Sequence, residues 1–237
     1  MLETFNKLIE ICKSHIILTD SKVVLGEPYI PYFPNDWNGV LVLAEAQNLS
    51  NSNTAYVNEL KSLSSDERIK RLNLSNGIGN LGIAPWDDGS LKLAVESAFN
   101  IKVENTAVSN AVLWSQLTPD GNNLTPAHDL IERSIKLWIE LLSCLKLDYI
   151  ITAGSIAQQV ITITKQAVAG SWRHTPLRLP SRMAMSRVSS MFRKNDLLKR
   201  YSEVARVLER HPDWTEGKYS LNKIFFACHA VSAASLD

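Results

Sequence analysis

Val40-Leu41-Val42-Leu43-Ala44-Glu45-Ala46-Gln47-Asn48 is the stretch on which the reading of this chain turns. Four apolar residues run into a small residue, a carboxylate and, two positions on, a pair of amides. A short apolar run bounded by turn residues reads as a fully buried central strand, and Trp37-Asn38-Gly39 supplies the turn before it. In an open α/β sheet, ligands bind in the crevice beyond the carboxyl ends of such strands. Glu45 stands at that end, so its carboxylate is either a working group or a solvated strand cap.

Outward from this strand, two further runs have the same character. Thr106 to Trp114 is a second buried strand, with the amide of Asn110 between Val108 and Val112. A polar side chain there needs hydrogen-bond partners; it is either a structural amide or one aimed into a pocket beside Glu45. Asp148 to Gly154 is a third strand, and Ser155 starts the helix Ile156–Lys165. Strand, glycine turn and helix make a βα unit, the building block of a parallel sheet. Thr175 to Leu179 supplies a fourth strand.

Helical spacing marks Leu2–His15, a stretch from Asn53 or Thr54 to about Leu63, Ser65–Leu74, and Leu91–Phe99 capped by Ser90. Thr125-Pro126 opens the longest helix, Asn195 caps another to about Glu209, and Ser220–Ser235 is the last. Pro28, Pro31 and Pro34 exclude a helix between Ile16 and Pro34, and that segment is expected to pack across the sheet edge. Asn76 to Gly89 is glycine-rich but has neither G-x-G-x-x-G leading into a helix nor G-K-[ST], which excludes a nucleotide fingerprint. The pattern predicts an α/β fold with helices around a central, mostly parallel four-stranded sheet, in a single domain over 1–237.

The totals narrow the function. The 237 residues are 45% hydrophobic, enough for a sizeable core, and no linker or repeat divides them. No apolar run approaches the roughly 18 residues of a membrane span, and the N-terminus lacks the features of a secretory signal. Cys12, Cys144 and Cys228 are odd in number and far apart. That favours a reducing, cytoplasmic compartment and speaks against a four-cysteine iron–sulfur or zinc site. The five histidines show no helical metal-ligand spacing, so no metal is expected. Net charge is +1, unevenly spread: residues 165–210 hold 11 Lys/Arg against 3 Asp/Glu. Such a basic segment is either a solvated helix face or the footprint of a polyanion.

Taken in order, several segments resemble the uracil-DNA glycosylase superfamily. Ala44-Glu45-Ala46-Gln47-Asn48 is similar to the family's water-activating loop in its G-E-x-P-G form, departing at Ala44, Gln47 and Asn48. Ala84-Pro85-Trp86 is similar to the loop that lays an aromatic ring over the flipped base, and Ser109-Asn110 to the strand whose Asn reads the base edge. Tyr149 to Ala157 fits the family's strand, glycine and helix step. Leu179-Pro180-Ser181-Arg182-Met183 with Arg187 resembles the minor-groove wedge, nearer its L-P-S than its H-P-S form. The resemblance covers roughly 40–190 and implies a three-layer αβα fold.

It also implies a cofactor-free DNA glycosylase that is monomeric and acts on double-stranded DNA. Glu45 and Asn110 would be catalytic; Gln47, Asn48 and Trp86 would line the base pocket; Ser181, Arg182, Met183 and Arg187 would hold DNA. A base inside a duplex must be flipped out at a cost of a few kcal/mol, and a side chain such as Met183 would fill the gap. No lysine lies in these motifs, so simple hydrolysis is expected without a Schiff-base step. At the position of Asn48, strict uracil enzymes of the superfamily carry a Tyr that excludes a methyl group at C5. Asn implies room there for a 5-substituted pyrimidine, such as the modified cytosines met in defence against phages. Plain uracil or mismatch repair, hydrolysis of free nucleosides, and an inactive DNA-binding module of the same fold are the alternatives.

Overall fold

β1 (Val40–Ser50) is paired on both sides. β2 (Ala107–Thr118) lies along one flank, β3 (Tyr149–Ala153) along the other, and β4 (Arg173–Leu177) outside β3, every pair parallel. The order is therefore β2-β1-β3-β4. Leu41, Val42 and Leu43 are fully buried, as a strand covered on both faces requires. This computed structural model describes residues 2–18, 23–50, 54–68, 89–118, 125–177, 189–217 and 220–235.

From β1 the chain steps to β2 on one side, then returns to build β3 and β4 on the other. The reversal makes the carboxyl ends of β1 and β3 the switch point of the sheet, the place where ligands bind in open α/β sheets. Pairing of β1 with β3 stops at Leu43↔Thr152, whereas pairing with β2 runs on to Ser50↔Thr118, with a register shift between Ala46 and Asn48. The expected loop after Glu45 is thus strand backbone, because β2 is itself longer than predicted and offers partners as far as Thr118.

The outer edge of β2 is covered by 23–32. Val24, Tyr29 and Tyr32 donate backbone N–H to Ser115, Leu113 and Val108, and the Val108 N–H returns a bond to Tyr32. The proline-rich segment therefore satisfies a strand edge that would otherwise be open. Glu27, in the middle of it, is buried; its carboxylate accepts from Ser65 Oγ (2.7 Å) and Arg68 Nε (2.9 Å).

The helices are α1 (Leu2–Ser14), α2 (Thr54–Ser62), α3 (Ser90–Phe99), α4 (His128–Ser143), α5 (Ser155–Ala167), α6 (Lys194–Arg200), α7 (Ser202–Arg210) and α8 (Ser220–Ala234). α4 and α5 pack together on the sheet, while α3, α7 and α8 form a second packed group. Trp138 Nε1 donates to the Ala111 carbonyl (2.8 Å), and the Leu113 N–H donates to Ser134 Oγ (3.2 Å), fastening α4 to β2.

Several boundaries depart from the predicted ones. α3 begins at Ser90 itself, with Gly89 at φ 80° as the residue ahead of it. The Gly89 backbone runs so close to the Trp214 carbonyl that a Cβ would lie 2.5 Å from that oxygen. α4 starts at His128 rather than after Thr125, because Ala127 is extended (φ −60°, ψ 143°). The helix expected from Asn195 to Glu209 is two helices broken at Tyr201 (φ −117°, ψ 79°), whose hydroxyl is bonded to Ser232 Oγ on α8 at 3.0 Å. The break thus falls at the residue that is anchored to α8. β4 starts two residues before Thr175, since Arg173 is already level with Tyr149. Only 65–68 of the predicted helix Ser65–Leu74 falls within the described residues.

The three cysteines are free. Burial pushes the Cys12 and Cys228 thiols up to about 12. Among the described residues no helix is long and apolar enough to cross a membrane.

Candidate functional site

The apolar run of β1 ends where the neighbouring strand β3 runs out of register partners, and the next ionisable side chain is Glu45. Gly154, which follows β3, turns the chain into α5 with φ 105° and ψ 162°. A side chain is disfavoured there: L-residues rarely adopt that backbone conformation, and a Cβ would lie 2.4 Å from Glu45 Cγ, Cδ and Oε1, so the carboxylate would have to move. The glycine thus makes the room into which the carboxylate folds.

What holds the carboxylate is the start of α5. The Ile156 N–H donates to Glu45 Oε1 at 2.9 Å, and Ser155 Oγ donates to the same oxygen at 3.3 Å. The first N–H groups of a helix lack intrahelical partners and carry partial positive charge. They stabilise an anion by about 0.3–1 kcal/mol. Glu45 is partly exposed, and among the described residues no cation forms an ion pair with it. Among the described residues the carboxylate is thus held by neutral donors alone, at the strand end where the sheet order reverses.

Asn110 is placed differently. It is 4% exposed and level with Ala44 in the β1–β2 ladder. Successive side chains on a strand project to opposite faces, so Asn110 shares the face of Ala44 and is turned to the face opposite Glu45. Sequence alone does not reveal this, because it depends on an even or odd offset between two strands 66 positions apart. The backbones of Gln47 and Asn48 lie in the extension of β1, where Asn48 is level with Gln116. Their side chains lie outside the described residues, as do Trp86, Ser181, Arg182, Met183 and Arg187.

Gly154 and Ser155 are the positions against Glu45 that the sequence motifs did not mark as site residues. They were legible as a strand-to-helix turn; their use as the seat of a carboxylate more than 100 positions earlier was not. No protein-family model matches the chain, and no curated protein matches it either.

Proposed function

We propose that this chain is a monofunctional DNA glycosylase resembling the uracil-DNA glycosylases, and that Glu45 is its catalytic carboxylate. The observation that carries this reading is Glu45 at the switch point of the sheet, fixed by neutral donors of α5 and free of any described counter-ion. When the N-glycosidic bond breaks, its electron pair leaves with the base and positive charge grows on the sugar. A fixed carboxylate stabilises that charge and orients the water whose oxygen bonds to the sugar carbon. The water's proton ends on the departing base or solvent, leaving an abasic site.

In this reading Trp86 stacks on the flipped base, Gln47 and Asn48 line its pocket, and Ser181, Arg182, Met183 and Arg187 hold the distorted duplex. The small side chain of Asn48 accommodates a substituent at C5, so the favoured substrate is a 5-substituted pyrimidine. Asn110, turned to the other face, is assigned no part in base recognition. That placement favours a second reading, a DNA-binding module of the same fold without chemistry.

Incubation with duplexes carrying uracil, mismatched thymine, 5-hydroxymethylcytosine or its glucosylated form, followed by detection of abasic sites, separates the two. Release of a 5-substituted base supports the first reading. Tight binding with no abasic site from any duplex supports the second. Efficient release of uracil alone leaves the chemistry standing and removes the substrate assignment.

A further inference from the structure

Three charged side chains are buried among the described residues: Glu27, Glu96 and Lys223. Both acids meet an arginine. Arg68 Nε lies 2.9 Å from Glu27 Oε1, and Arg210 Nη2 lies 2.7 Å from Glu96 Oε1. Lys223 forms no ion pair among the described residues. Its Nζ donates to the Glu216 carbonyl at 3.3 Å and to nothing else described, although an ammonium carries three donors. Every other described lysine and arginine is partly or wholly exposed, so water solvates its charge whether or not an acid lies near.

A lysine stem often lies along apolar surface with its head in water. Lys223 has little of that latitude: 9% of the residue is exposed, and its nitrogen is turned to the main chain. Burying a charge without a partner is costly. The position adds to that cost. Lys223 is the fourth residue of α8, whose first turn holds no acid, and the start of a helix carries partial positive charge. A bound anion would offset both terms.

The place of Lys223 in the fold bears on which anion. Phe99, at the end of α3, packs its ring against Tyr149, the first residue of β3, with centroids 5.4 Å apart. The first turn of α3 is about 15 Å back along the helix, toward the carboxyl ends of the strands. Gly89, ahead of α3, abuts the Trp214 carbonyl, and Glu216, which holds Lys223, follows Trp214 closely in the chain. Lys223 thus belongs to the same end of the sheet as Glu45, in the helix group that does not contain α5.

We propose that Lys223 and the start of α8 seat a phosphate group. Lysine binds phosphate as a compact point charge, helix starts favour such anions, and a carboxylate brings fewer oxygens for the unused ammonium donors. The phosphate comes either from a DNA backbone or from a free phosphate or nucleotide. The site uses none of the glycosidic chemistry and stands apart from the function proposed above.

The test is thermal unfolding of the full-length protein in Tris chloride against inorganic phosphate, with acetate at equal ionic strength as the comparison anion. Lys223→Met keeps the length of the side chain and removes its charge. Lys223→Gln is the second variant, and Lys136→Met, at an exposed lysine of α4, is the control. Calorimetric titration with phosphate measures binding to each protein directly, and binding of duplex DNA is read by anisotropy across a salt series.

In chloride alone, Lys223→Met should melt about 2–4 °C above wild type, because an unpaired buried cation is gone. Phosphate should raise the wild-type midpoint by about 2–4 °C more than acetate does. It should raise neither Lys223 variant, and should act on Lys136→Met as on wild type. A DNA salt slope shallower by about one in Lys223→Met assigns the phosphate to the DNA backbone; an unchanged slope assigns it to a free phosphate or nucleotide. Any of the following overturns the proposal: no phosphate binding by the wild-type protein, equal effects of phosphate and acetate, phosphate stabilisation that persists in the Lys223 variants, or Lys223→Met that melts below wild type in chloride or fails to fold. None of these readouts is turnover, so absence of base release counts against the glycosylase reading alone.

Discussion

Glu27 and Glu45 are both glutamates tied down by a helical segment remote in sequence, yet they are held in opposite ways. Glu27 is 4% exposed and meets a cation, Arg68, together with the hydroxyl of Ser65. Arg68 in turn donates to the Leu63 carbonyl at 2.8 Å, so the pair staples 65–68 to the segment that seals the edge of β2. Its charge is spent within the fold. Glu45 is partly exposed and meets no described cation, only a backbone N–H and a hydroxyl at the start of α5. The first arrangement stabilises structure; the second positions a charge and leaves it usable. A carboxylate therefore reads as functional from the kind of partner that holds it, more than from whether it is held.

The largest expected effect is that of Glu45→Gln. The amide keeps an oxygen for the α5 donors, so unfolding should shift by no more than about 1 kcal/mol. Base release, read in single turnover, should fall roughly 100- to 1,000-fold, because a neutral group cannot stabilise the forming cation. Next comes Gly154→Ala. Its Cβ would occupy the place of the Glu45 carboxylate on a backbone that alanine adopts only with strain. Release should drop about 10- to 100-fold and stability by about 2 kcal/mol, measured by urea unfolding; a neutral Gly154→Ala would mean that the carboxylate does not need this seat.

Glu27→Gln should show the reverse pattern. Leaving Arg68 without its charge partner should cost about 2 kcal/mol of stability, with the rate of base release unchanged below the melting transition. A rate loss without destabilisation would erase the contrast between the two glutamates. The smallest effect belongs to Ser155→Ala. Its hydroxyl contact is the longer of the two at 3.3 Å, so about a 3- to 5-fold loss in kcat is expected with KM unchanged, restored by Ser155→Thr.

Much of the sheet was legible in the sequence, since Val40–Leu43, Thr106–Trp114 and Asp148–Ala153 are apolar runs that a parallel sheet buries on both faces. The edge position of the proline-rich segment was legible too, because prolines bar a helix but leave intervening N–H groups to pair with β2. Helix starts were read less well: capping residues at 125 and 195 compete with backbone angles set elsewhere, at Ala127 and at the Tyr201 anchor. In the site, the position of Glu45 at a strand end followed from the apolar run, whereas its partners did not. The Gly154 seat and the facing of Asn110 both depend on strand register, which a single sequence does not carry.

In the proposed function the charge of Glu45 acts on a substrate, while that of Glu27 acts on the fold. The most direct measurement is single-turnover base release by the wild-type protein, Glu27→Gln and Glu45→Gln on one duplex bearing a 5-substituted pyrimidine, with abasic sites counted over time. Equal rates are expected for wild type and Glu27→Gln, and a rate at least about 100-fold lower for Glu45→Gln. Release by Glu45→Gln at the wild-type rate would contradict the proposed function, as would the absence of abasic sites with the wild-type protein on every duplex tried.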